Sequence, residues 1–420
     1  MNLIGCPVAL HRAVFLSFYS YLRKIYVNCP LLLPAEASFP FKFSRIFRNI
    51  ILKNQMDLYM EKINYQIKKR TDKVVLPENP GFGQHFTDHI FEMDYTPQNG
   101  WYNPVIKPIE NLSMHPATMF IHYGQAIFDG LKAFRSENGD INIFRAEKHI
   151  QRLNNSAKKL CIPEVDPSFL LHALTELISI DSDWVPYKKG ESLYIRPFIF
   201  GNDPFLGVRP SQRYKLILLL SPVGAYYPEG FKPVKILVTD DYVRAVRKGI
   251  GDAKTAANYA ASLLAGEEAH KRGFTQVLWL DGVEQKYIEE VGTMNIFIRF
   301  KNEVATPILT GSILPGVTRD SVLQILKSLD MNPVERLISI DEVVEEYKKG
   351  NVLEVFGTGT AAVISSVGWL TYKDMTMALN GGNAGELSVK LFDAITSIQY
   401  GQGEDKFNWL TPVEKEKVEA

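Results

Sequence analysis

The apolar residues of this 420-residue chain change period repeatedly, from the two-residue repeat of a half-buried strand to the 3.6-residue repeat of a helix and back. Met114–Tyr123, Gly130–Arg135 and Ile141–Arg145 read as strands, the last two joined by a loop in which Gly139 is free to take positive φ. Glu147–Leu160 then places Ile150, Leu153, Ala157 and Leu160 on one helical face, Pro167–Ile180 is a second apolar helix, and Ser192–Gly201 and Tyr214–Leu220 are strands again. After a stretch dense in Pro and Gly the pattern resumes. It gives strands at Val234–Thr239, Gln276–Leu280, Thr293–Phe300 and Glu303–Thr306, and helices at Ala260–Arg272, Thr318–Leu329 and Glu386–Ile398. The mixture never settles into regular βαβ alternation, so a doubly wound parallel sheet is excluded and the predicted class is α+β, with strands and helices mixed in two domains. The boundaries this predicts are a leader over 1–56, a smaller domain over 57–221, an interdomain loop over 222–232 and a larger domain over 233–420.

The leader differs from the rest in charge. Seven basic side chains against Glu36 alone give it +6, so the remainder carries −6 and the whole chain is neutral. Its longest apolar run beside a positive charge, Ala13–Leu22, is too short to span a bilayer, which takes about twenty residues. The plainest reading is a start at Met56 or Met60 with an over-long gene assignment upstream; a targeting segment and a structured addition stay open. Cys161 is the one cysteine of the body. This excludes a disulfide framework or cysteine-based zinc site and fits a reducing, cytoplasmic compartment. A mildly acidic body gives no electrostatic reason to bind nucleic acid or an anionic membrane, and no metal site is expected.

The densest chemical text is Lys248-Gly-Ile-Gly-Asp-Ala-Lys254-Thr-Ala-Ala-Asn258-Tyr259. Gly249 and Gly251 allow a sharp turn that would hold the Lys254 amine in a constricted loop, the setting in which a lysine becomes neutral and nucleophilic near pH 7. A solvated lysine in a glycine loop is the alternative. Leu314-Pro-Gly-Val317-Thr318-Arg319 puts free backbone N–H groups at a helix start, where a phosphate binds well. Gly357-Thr-Gly-Thr360-Ala361-Ala362 is a second small-residue loop, and Glu289-Glu290 is an acidic pair just before a strand. A lysine, a buried acid and a phosphate cradle are the parts that pyridoxal phosphate requires.

These segments resemble those of branched-chain amino acid aminotransferases, which have fold type IV among pyridoxal phosphate enzymes. The likeness lies in Phe86-Thr-Asp-His, His122-Tyr-Gly-Gln-Ala-Ile-Phe-Asp-Gly-Leu-Lys-Ala-Phe, Ser192-Leu-Tyr-Ile-Arg-Pro, Leu219-Leu-Ser-Pro-Val-Gly, Asp252-Ala-Lys-Thr-Ala-Ala-Asn-Tyr, Glu289-Glu-Val-Gly-Thr-Met-Asn, Leu314-Pro-Gly-Val-Thr-Arg and Phe356-Gly-Thr-Gly-Thr-Ala. It runs in order from about Phe82 to the C-terminus and leaves the leader without a counterpart. The resemblance implies a small N-terminal α/β domain, a larger domain with a β-barrel-like core, and a homodimer. It implies pyridoxal 5'-phosphate as cofactor, with Lys254 as Schiff-base lysine and proton carrier and Glu290 at the ring nitrogen. Tyr259 would meet the phenolic oxygen, and Arg152, Val317, Thr318 and Thr360 the phosphate.

By the same resemblance Phe82, Tyr123, Phe128, Tyr194 and Tyr226 wall an aromatic pocket for leucine, isoleucine or valine. The Thr360 and Ala361 amides would receive the α-carboxylate, and Arg196 the distal carboxylate of glutamate. Tyr226, in the linker, suggests a lid. Mammalian members carry a Cys-x-x-Cys pair where this chain has Ala362 and Ser365, so the sequence is closer to bacterial members and thiol regulation there is not expected. The rival readings are a D-amino acid transaminase, an aminodeoxychorismate lyase and a non-catalytic cofactor-binding protein.

Overall fold

In the computed structural model, residues 63–67, 75–224 and 231–414 are described, all within one unit, Met56–Ala420. The leader, most of the predicted linker and Tyr226 lie outside the described residues. The first half supplies β1 (Asn64–Tyr65), β2 (His89–Thr96), β3 (Gly100–Pro108), α1 (Met119–Tyr123), β4 (Ala126–Phe128), β5 (Leu131–Arg135), β6 (Ile141–Phe144), α2 (Ala146–Lys159), α3 (Pro167–Ile180), β7 (Ser192–Gly201) and β8 (Tyr214–Val223). The second half supplies β9 (Val234–Thr239), α4 (Ala256–Ala260), α5 (Leu263–Lys271), β10 (Gln276–Leu280), β11 (Ile288–Val291), β12 (Met294–Phe300), β13 (Val304–Pro307) and α6 (Val317–Ser328). It continues with β14 (Pro333–Arg336), α7 (Ile340–Lys348), β15 (Val352–Gly359), β16 (Val363–Tyr372), β17 (Met375–Ala378), α8 (Glu386–Gln399) and β18 (Leu410–Val413).

One sheet has the order β1-β3-β2-β8-β7-β5-β6-β18, with β4 on β7. The chain's last strand thus returns to the first half, Val413 opposite Ile141. The second sheet runs β11-β10-β9-β16-β15-β12-β13-β14, and β11 also pairs with β12. That extra pairing closes β9, β10, β11, β12, β15 and β16 into a barrel, with β13–β14 and β17 continuing from it. The fold is the predicted mixture of strand and helix with a barrel core. No helix among the described residues is long and apolar enough to cross a membrane.

Local chemistry explains the best-predicted elements. Asp166 caps α3 by accepting the Phe169 N–H at 2.8 Å, with Pro167 as its first helical residue. After α5, Gly273 takes φ +82°, its N–H bonds to His270 O and the Phe274 N–H to Ala269 O, a Schellman end. Three expectations are corrected. Met114–Tyr123 is not a strand: Thr118 bonds back to His115 O, and from Met119 the chain makes a short helix closed by left-handed Gly124. The expected helix Ala260–Arg272 starts earlier and breaks, because Ser262 Oγ and N both bond to Tyr259 O at the junction of α4 and α5. Gly357–Gly359 is not a loop but the end of β15. Its glycines fit a strand here because a side chain on Gly357 would press on Met294.

Candidate active site

Lys254 sits in the segment before α4 and is fixed from several sides. Its N–H donates to Ser156 Oγ at 2.9 Å, its carbonyl accepts the Phe128 N–H at 3.0 Å, and the next residue, Thr255, bonds to Ala126 O at 2.7 Å. Asn258 ties the same loop by donating to the carbonyls of Ile250 and Ala253. Gly251 is needed for its size. A Cβ there would collide with Ser312 O and Ala245. Gly251→Ala should therefore lower stability by about 1–3 kcal/mol through overpacking and shift Lys254, which thermal unfolding and cofactor uptake would report together.

The Lys254 amine donates to the Tyr259 hydroxyl at 2.6 Å. Burial, helped by the nearby positive charge of Arg152, lowers its pKa to about 7, so a large fraction is neutral at physiological pH. Burial raises the Tyr259 phenol, which stays protonated and able to donate. Glu290, 4 % exposed, accepts the Leu314 N–H at 2.7 Å and faces Arg244 Nε at 3.2 Å. Burial raises its pKa while Arg244 opposes the shift. The neighbouring Glu289 departs from the site on the strand's alternation and accepts the Ser312 hydroxyl instead. The geometry thus selects Glu290 from the acidic pair.

Arg152 projects from α2 and is clamped by Asp129, with Nε to Oδ2 and Nη2 to Oδ1 both at 2.8 Å. His149, one turn earlier on the same face, meets Asp129 Oδ1 at 2.7 Å. Both partners hold the Asp129 carboxyl well below the usual range despite complete burial. Opposite stands the start of α6, where Gly316 precedes Val317 and Thr318 and no side chain caps the free N–H groups. A Cβ on Gly316 would strike Asn295 Oδ1, so the backbone there approaches as closely as it can. The Thr358 hydroxyl is buried without a partner among the described residues.

One cavity of about 360 Å³ joins these groups. Arg152, Lys254, Tyr259, Val317, Thr318, Thr360 and Ala361 line it, as do Phe82, Phe128, Tyr194 and Arg196. Glu290 lines a small recess that shares Tyr259, Thr293 and Leu314 with it. The aromatic side has its own construction. Phe82 meets the Tyr194 ring edge-on at 4.9 Å, Arg196 donates to the Tyr194 hydroxyl at 2.9 Å, and its guanidinium lies 4.6 Å from the centre of Phe128. Gly130 makes room for Tyr194, whose hydroxyl occupies the place of a Cβ. Tyr123 is the exception: at the end of α1 it is 43 % exposed and does not line the cavity.

Sequence reasoning missed Asp129, His149, Arg244 and Asn295. Asp129 and His149 left a signal: a lone acid between apolar strands, and His149 three residues before Arg152 on one helix face. Arg244 left none, because its ten-residue distance from Lys254 is bridged only by the fold.

A barrel of this topology with a buried lysine, tyrosine and glutamate around an anion cradle defines a class IV aminotransferase, and the Amino-transferase class IV model matches residues 126–368. The chain belongs to that family. Within it the likeness is to branched-chain-amino-acid aminotransferases. "Branched-chain-amino-acid aminotransferase 2" of Bacillus subtilis (strain 168) is 54 % identical over 80 % of this chain and 93 % of its own length. "Branched-chain-amino-acid transaminase 1" of the same organism is 49 % identical over 80 % and 95 %. The solved branched-chain amino acid aminotransferase of Escherichia coli superposes with a TM-score of 0.66 at 29 % identity, covering 78 % of this chain and all of that one. A second solved branched-chain amino acid aminotransferase, that of T.th., is complexed with N-(5'-phosphopyridoxyl)-L-glutamate. It has a TM-score of 0.65 at 27 % identity, covering 79 % of this chain and all of its own.

Proposed function

We propose that this chain is a pyridoxal 5'-phosphate-dependent transaminase that moves the amino group between L-leucine, L-isoleucine or L-valine and 2-oxoglutarate, giving the branched 2-oxo acid and L-glutamate. The observation that carries this reading is the convergence of Lys254, Tyr259 and Arg152 on one cavity, with Glu290 in the small recess that adjoins it. The residues present fit the cofactor: the uncapped start of α6 and the Thr358 hydroxyl, which has no hydrogen-bond partner among the described residues, line the same cavity as the buried Arg152 and offer donors to an anion. When bound, this cofactor supplies a carbonyl for the amino group and an electron-withdrawing ring.

The side chains then divide the work. Lys254 is the amine that would hold the cofactor, and its neutral nitrogen would move the proton at the substrate Cα. Glu290 would pair with the ring nitrogen and favour its protonated form, and the protonated Tyr259 would donate to the phenolic oxygen. Arg152, steadied by Asp129, and the amides of Val317 and Thr318, with Thr360, bind the phosphate. The Thr360 and Ala361 amides receive the substrate carboxylate, while Phe82, Phe128 and Tyr194 shield the aliphatic side chain from water.

Arg196 explains how the same space takes glutamate. Its Nε is buried without a partner among the described residues and its charge rests on aromatic faces, so a distal carboxylate gains a charged hydrogen bond there while an aliphatic chain meets the rings. Arg196→Met should weaken kcat/KM for glutamate by about 10–100-fold, the worth of one charged hydrogen bond, and leave leucine within a few-fold. A coupled assay on leucine with 2-oxoglutarate tests the whole reading, beside a panel of L- and D-amino acids. Turnover of D-alanine without turnover of L-leucine would sink it.

We also propose a homodimer in the cytoplasm. Leu112, Met114, Ile121 and Tyr123 are exposed, as are Phe205, Leu206 and Val208, and the two segments are tied together by the Phe205 N–H to Ala117 O and Met119 N–H to Asp203 O bonds. An exposed apolar surface of this kind favours a partner. Leu206→Glu is expected to shift sedimentation toward monomer; unchanged dimer would remove this surface from consideration. The free Cys161 suits a reducing compartment.

A further inference from the structure

A second cavity, of about 230 Å³, shares Ala361 and Ala362 with the active-site cavity as a common wall. Phe134, Phe392 and Tyr400 make much of its lining apolar. Three buried polar groups interrupt that lining. Lys132, 7 % exposed, donates to Ala361 O at 3.0 Å and has no carboxylate partner among the described residues; desolvation lowers its pKa to about 8. Ser192 Oγ and Gln399 Oε1, in residues 1 % and 5 % exposed, have no hydrogen-bond partner among the described residues.

Buried polar groups are ordinarily bonded, and a buried cation is ordinarily paired. Three such groups around one apolar cavity are therefore a recognition pattern: a cation and a hydroxyl for a carboxylate, an acceptor for a donor, and rings for a hydrocarbon. We propose that this cavity is a second binding site for an apolar α-amino acid. Its carboxylate lies on Lys132 and Ser192, its ammonium donates to Gln399 Oε1, and its side chain packs among Phe134, Phe392 and Tyr400. Because Lys132 also holds the carbonyl of Ala361, whose turn borders the active-site cavity, occupancy alters substrate affinity rather than the chemical step. The binding itself does not depend on the proposed transaminase activity.

The test uses labelled α-methyl-leucine, which has no Cα hydrogen to lose, in equilibrium dialysis against the full-length, cofactor-loaded protein. Wild type is expected to bind more than one equivalent per chain, and Gln399→Leu to lose the additional equivalent while kcat stays unchanged. Equal binding by both proteins overturns the proposal. If Gln399→Leu fails to fold by circular dichroism, Ser192→Ala, which removes only a hydroxyl, replaces it and should weaken the additional site several-fold; unaltered affinity counts against the site. A crystal soaked in the same compound should show it against Lys132, and a cavity holding only water at saturation overturns the assignment.

Discussion

Lys254→Ala is expected to abolish leucine transamination, with a fall of about 10⁴-fold or more in kcat, because one substitution removes both the covalent anchor and the base. Visible cofactor absorbance should be lost or displaced in the purified variant, while its far-ultraviolet spectrum stays that of the wild type. A variant that retains more than about one per cent of the rate would place the proton transfer elsewhere, since loss of a positioned base alone costs about 10²–10⁴-fold. The wild-type pH profile carries a second check. With the free amine's pKa lowered to about 7, the neutral form, and hence the acid limb of the rate, should rise as pH increases through that value. An ordinary solvated lysine, near about 10.4, would keep the rate climbing through about three further pH units.

Asp129→Asn should be the most damaging change to a residue that touches neither substrate nor cofactor in the proposed site. It leaves Arg152 buried beside a neutral amide, and breaking a buried pair by removing one partner costs about 3–5 kcal/mol. Chemical denaturation should show that loss at pH 7, and cofactor phosphate affinity should fall with it because Arg152 is no longer held. The pH dependence follows from the sign of the shift. The folded-state pKa of Asp129 lies below the unfolded value of about 3.9, so its stabilisation is complete above that value and is lost as pH falls toward the folded pKa. The gap between wild type and variant should therefore narrow in acid and stay constant between pH 6 and 8. Arg152→Met together with Asp129→Asn should recover part of the stability but not cofactor binding, separating the structural role of the pair from its role at the phosphate.

Legibility in the sequence follows the range of the forces involved. α3 and β7 are legible at their observed limits because their signals are local: an Asp-Pro start and an unbroken helical period in one, a run of strand formers in the other. α1 and the α4–α5 break are misread because single side-chain to backbone bonds, from Thr118 and Ser262, override the apolar pattern. The strand at Gly357–Gly359 is hidden for the opposite reason. Its glycines suggest a loop until Met294 is seen to occupy the space their side chains would need.

The candidate site divides the same way. The order and identity of the segments around Lys254, Glu290 and Leu314–Arg319 established by themselves which family this chain joins, because each motif supplies a chemical group that its neighbours in sequence present. The sequence could not show that Asp129 clamps Arg152, that Arg244 faces Glu290, or that Lys132 reaches Ala361 across a separation of 229 residues. Those pairings exist because the fold brings separate segments together: α2 packs on β4 to join Arg152 to Asp129, and barrel closure sets Glu290 within reach of Arg244. Desolvation in the space they enclose then sets which side chains are charged. A motif can name the lysine, but only burial among its neighbours lowers its pKa.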